Sequence, residues 1–195
     1  MTTPKNATLA GKSRRGLMAL AVGVVATMAV GAGSASAGAV ELNAKARAAL
    51  SRLYVTSNRS KEFGKMAVGI MVFPQIIKAG LLVGGMSGDG VLYEHGRVAG
   101  YYNISGASWG LQAGGESYSY AMFFMRPKAL AFIHKSNGWA IGSGPSVVVV
   151  DKGITEAGDT TTLTQDVYAM PFSSKGLMGS LSLQGTKITE IHPKP

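Results

Sequence analysis

From Val40 to about Arg59 the apolar positions Leu42, Ala46, Ala49, Leu50 and Leu53 recur at helical spacing, alanine is dense, and glycine and proline are absent. That pattern predicts an amphipathic helix. Lys45, Arg52 and Arg59 fall along one border of its apolar stripe, and Arg47 lies on the other side. A short second helix is expected over Lys61–Met66. The period then changes. Ala67–Phe73 is a continuous apolar run closed by Pro74, and Ile76–Gly85, Val91–Tyr93 and Val98–Tyr102 follow as short strand candidates. Glu94-His95-Gly96-Arg97 reads as a tight hairpin turn. Ser117–Met125, Val147–Val150, Val167–Phe172, Leu177–Leu183 and Ile188–Ile191 complete the strands, and Pro127–Ser136 is the one later helix, opened by proline and ended by Asn137-Gly138. The polar stretch Asp151–Thr164 is expected to be an exposed loop, Gln184–Lys187 a turn, and the HPKP tail frayed.

Eleven glycines lie between Gly80 and Gly115, scattered among valine, leucine and aromatic residues and not bunched as in a linker. Glycine inside strands marks bulges, bends or close backbone approach, which a strongly curved sheet requires. The expected fold is α+β: an N-terminal amphipathic helix, then a strongly curved, Gly-rich antiparallel or barrel-like sheet with one short later helix.

Residues 1–37 do not fit this scheme. Lys5, Lys12, Arg14 and Arg15 precede a mildly apolar run from Leu17 to Val30, and Ala35-Ser36-Ala37 follows, the order of a cleavable secretory signal. Ser13–Met18 resembles a twin-arginine motif; an ordinary Sec signal is the alternative. The expected mature chain is a single domain, 38–195. The full chain carries +9, and residues 1–37 hold four of its 19 basic residues and none of its 10 acidic ones, leaving +5 (15 minus 10) after cleavage. That is a modest charge for a nucleic-acid binder. With no cysteine, disulfides and thiolate sites are excluded.

Candidate chemistry is sparse. Gly106-Ala107-Ser108-Trp109-Gly110 matches G-x-S-x-G, and Asp151 or Asp159 and then His192 follow in the order of a serine hydrolase. The nucleophile elbow needs a helix directly after the serine, whereas LQAGGESYSY is a poor helix former, so an esterase at Ser108 is a minor alternative. His95, His134 and His192 are too scattered to suggest a metal site, and no cofactor motif is present. The basic border of the first helix offers more. Long cationic stems beside an apolar stripe suit a membrane surface, although a helix this modest more commonly uses such a stripe to dock on its own core.

In order along the chain, VGIMVFP (Val68–Pro74), KAGLLVGG, GYYNISGASWGLQAG, MFFM (Met122–Met125), NGWAIG (Asn137–Gly142) and SKGLMGSLSLQG (Ser174–Gly185) resemble the SYLF domain from about Lys61 to Ile191. The resemblance gives SGASWGLQAGG a place as a Gly-rich strand signature without a catalytic serine. It implies a non-enzymatic lipid-binding module: eukaryotic members bind phosphoinositides with the help of an N-terminal amphipathic helix, some bind actin filaments, and bacterial members are commonly exported. The expectation is an exported, periplasmic or extracellular protein, peripheral on a membrane. Its partner would be an anionic phospholipid surface, with no cofactor and no nucleic acid, met through Lys45, Arg47, Arg52 and Arg59. A structural envelope protein with a protein partner is the alternative.

Overall fold

The computed structural model describes residues 38–80, 83–109, 114–136, 138–150, 164–175, 183 and 185–194. The signal segment 1–37, most of the expected loop 151–164 and most of the expected strand 177–183 lie outside the described residues. Among those described, helices α1 (Ala39–Thr56) and α2 (Asn58–Met66) precede strands β1 (Gly69–Gly80), β2 (Val83–Glu94), β3 (Arg97–Trp109) and β4 (Gly114–Phe124). Helix α3 (Pro127–Lys135) and strands β5 (Trp139–Ala140), β6 (Val147–Val149), β7 (Val167–Lys175) and β8 (Thr186–Ile191) follow. The strands form one sheet in the order β5-β8-β3-β2-β1-β4-β7-β6.

The sheet is strongly curled, as the glycines predict. One apolar cluster joins Met71, Ile104 and Ile188 from one half to Tyr120, Val167 and Ala169 from the other, which places it inside the curl. The two edge strands, β5 and β6, are joined by residues 141–146 alone, so their near ends stand no more than about 25 Å apart. Among the described strands all pairings are antiparallel, as expected, except β6 with β7 at one edge, which is parallel. Helix α3 closes one end of the interior with Ala129, Leu130 and Ile133, and Trp139 packs between Phe124 and Phe132.

Three expectations are corrected. Pro74 does not end a strand: β1 runs through it. Between Val72 and Ile77 it carries one residue more than the facing stretch Ser87–Val91 of β2, and the same offset appears against β4. This is a bulge, the place in a sheet where a residue without an N–H is tolerated. Ser119 Oγ donates to the Pro74 carbonyl at 2.7 Å. The bulge also resets the alternation, so Phe73 and Ile76 are both fully buried in the interior. Second, the C-terminal tail is tied down, because the Ala39 N–H donates to the Lys194 carbonyl at 2.8 Å. Third, the helix expected to reach Arg59 stops at Thr56. Ser57 caps α2 instead, its Oγ accepting from the Ser60 N–H at 3.2 Å.

Candidate functional site

The apolar stripe of α1 is spent on the fold. Leu42, Ala46, Ala49 and Leu53 are at most 3 % exposed and pack, with Phe63 of α2, on Val72, Val91, Tyr93, Ala121 and Phe123 of the outer sheet face. Burying each leucine contributes roughly 1.5–3 kcal/mol. Of the four cations predicted by sequence, Lys45, Arg47 and Arg52 are exposed residues and Arg59 is half-buried.

They do not form one row. Lys45 pairs with Glu41 one turn earlier, both side chains more than half exposed. Arg52 is exposed, with no side-chain hydrogen bond or ion pair among the described residues. Arg59, which the cap at Ser57 moves onto α2, lies over the Phe63 ring at 5.1 Å and meets Glu62 at 3.3 Å. Arg47 reaches across to the β2–β3 hairpin. Its Nη2 donates to the Gly96 carbonyl and its Nε to Asn43 Oδ1, both at 3.3 Å, with the guanidinium 5.2 Å from the centre of the Tyr93 ring.

Beside Arg47 a cleft of about 290 Å³ opens between α1, the end of α2, the start of β1 and the hairpin tip. Leu50, Val68 and Ile70 supply an apolar lining; Arg47, Tyr54, Tyr93 and His95 supply the polar groups. The hairpin tip has positive φ at both central residues, His95 at 50° and Gly96 at 77°, the form that matches strand twist in a two-residue turn. Gly64, inside α2, leaves room for the Tyr54 phenol, since a Cβ there would collide with its hydroxyl. The Tyr93 hydroxyl donates to Asn43 Oδ1 at 2.8 Å. Burial pushes the Tyr93 pKa up to about 12, against the opposing effect of Arg47, and burial also raises that of Tyr54. Both phenols therefore stay protonated at neutral pH. Among the described residues no acidic side chain lines the cleft.

Of the four cations that the sequence marks as lipid-binding, only Arg47 lies here. Tyr54, Tyr93 and His95 were not legible as site residues, because the cleft exists only once α1 packs beside a hairpin about 50 positions away. His95-Gly96 marked the turn but not what the turn would face.

The hydrolase pattern has no elbow. Ser108 is a residue of β3 in register with Gly84 of β2, and Trp109 directly after it continues the strand, where the elbow would need a helix to begin. Asp151 and Asp159 lie outside the described residues, and His192 is exposed just beyond β8. His134 pairs with Glu94, and among the described residues no three His, Asp or Glu side chains gather where a metal could sit.

No curated protein matches the chain. Residues 105–193, from within β3 to the tail, match the model of the Ysc84 family, described as Las17-binding protein actin regulator. The cleft precedes that matched segment. The match over residues 105–193 is to the Ysc84 (SYLF) domain family, the same family that the chain's strand motifs resemble.

Proposed function

We propose that this protein is a non-enzymatic module of the bacterial cell envelope, exported by the signal in residues 1–37, that binds anionic phospholipid surfaces through its helical layer. One observation carries this reading, the placement of charge. Residues 38–66 hold six basic residues (Lys45, Arg47, Arg52, Arg59, Lys61, Lys65) and two acidic ones (Glu41, Glu62), a net +4. Residues 67–195 hold nine basic and eight acidic, a net +1, so four of the five charges of the 38–195 domain sit on α1 and α2. Glu41 and Glu62 engage only Lys45 and Arg59, and five of the six cations belong to exposed residues. Such a layer is drawn to an anionic surface by about 1 kcal/mol per charge, an attraction that salt screens.

The test is vesicle flotation of the exported protein. Binding is expected to vesicles containing phosphatidylglycerol, to be weaker at high salt, and to be absent with phosphatidylcholine alone. Replacing Lys45, Arg47, Arg52 and Arg59 together by Gln is expected to weaken it by up to about 4 kcal/mol. Binding that the four substitutions leave unchanged would refute the surface. A protein partner is the second reading, favoured by the family's description as binding Las17 and regulating actin. It predicts no flotation with either vesicle.

A further inference from the structure

The cleft beside Arg47 collects hydrogen-bond donors, and no acidic side chain is among its described lining residues. The Tyr54 hydroxyl, half-buried above Gly64, has no hydrogen-bond partner among the described residues. Arg47 has five N–H donors, of which two are engaged, each at 3.3 Å. His95 presents a ring N–H in every protonation state. Its backbone φ of 50° is unusual for a residue with a side chain, and asparagine is the common occupant of that turn position. Histidine is among the residues that tolerate this backbone, and here it also brings an imidazole to the rim. Between these groups lies the apolar surface of Leu50, Val68 and Ile70. An uncharged apolar ligand would leave the donors unpaired, and a free inorganic anion would leave the apolar wall unused. A molecule with one acidic group on an apolar stem uses both.

We propose that this cleft binds a single anionic amphiphile, with its acidic group at Arg47, Tyr54 and His95 and its stem along Leu50, Val68 and Ile70. The proposal rests on the reading that the helical layer meets anionic lipid, and adds to it a stoichiometric site. Membrane phospholipids and free fatty acids share this chemistry.

The experiment is calorimetric titration of the full chain with dihexanoyl phosphatidylglycerol, with decanoate, and with dihexanoyl phosphatidylcholine, each below its micelle concentration. Saturable one-to-one binding of an anionic probe, with the zwitterion markedly weaker, is expected. The tighter of the two anionic probes identifies the source. Tyr54→Phe and His95→Asn, the second of which preserves the turn, are each expected to weaken binding about 3- to 10-fold while the thermal midpoint stays near wild type. If neither anionic probe saturates, if the zwitterion binds equally, or if both folded variants bind like wild type, the cleft is not a site. The triple variant Lys45→Gln/Arg52→Gln/Arg59→Gln separates the two proposals. Short-chain binding without vesicle flotation of the wild type sinks the surface and keeps the cleft. Flotation lost in the triple variant but unaffected by Tyr54→Phe and His95→Asn, with no short-chain saturation, does the reverse.

Discussion

Gly90 stands on the inner side of β2, where a Cβ would meet the Val72 carbonyl oxygen at 2.7 Å and collide with the Phe73 ring. Gly88, two residues earlier, is pressed in the same way by the Ile76 Cα at 2.9 Å. Gly85, on the outer face, has nothing nearer than the Gly106 carbonyl at 3.8 Å. The inner glycines are what lets β1 and β2 curl so tightly around Phe73 and Ile76. Gly90→Ala should therefore destabilise by about 1–3 kcal/mol or more, as overpacking does, and lower the thermal midpoint by several degrees. Gly85→Ala should leave the midpoint within about 2 °C of wild type. Equal behaviour of the two variants would remove the curvature argument. The sequence could say that these glycines mark a curved sheet; it could not say which of them face inward, because β2 is buried on both faces at Val91 and Leu92 and no polar alternation marks a side.

At the scale of elements, the parallel edge pair β6–β7 depends on one carboxylate. Asp166, immediately before β7, accepts from the Ser146 N–H at 3.1 Å and Oγ at 3.2 Å and meets Lys128 of α3 at 3.2 Å. The Ser146 N–H above all, aided by Lys128 and opposed by partial burial, lowers its pKa from 3.8. A carboxylate whose folded pKa is lowered adds stability above its unfolded value and loses it as pH falls through the folded one. Asp166→Asn should thus be less stable than wild type at neutral pH, and the gap should close as pH drops below 3.8. Urea midpoints at pH 7, 5 and 3 check this, and a gap that persists at pH 3 would assign the loss to packing. Much at this scale was legible in advance. Pro127 opens α3, and the period of Leu42–Leu53 marks α1. What misled was punctuation. Pro74 reads as a stop unless a bulge absorbs it, and Ser57-Asn58 is a helix cap inside an otherwise unbroken stripe.

For the whole molecule, the division between the two sides of α1 decides the account. A basic amphipathic helix suggests a face that turns to lipid, but here the Leu42–Leu53 stripe is core, and the outward side carries the cations together with Val40 and Val55 near the helix ends. The sequence carried both possibilities in the same residues, since a stripe of leucine and alanine looks alike whether it meets a sheet or a bilayer. Thermal unfolding of the full-length Leu42→Ser/Leu53→Ser protein separates them most directly. Both leucines are 3 % exposed, and losing either should cost at least as much as a buried leucine truncation, about 2–5 kcal/mol. At roughly 2–4 °C per kcal/mol for a domain of this size, the midpoint should fall by about 10 °C or more. A midpoint unchanged from wild type would mean that the stripe is not core, and would return the apolar face of α1 to the membrane.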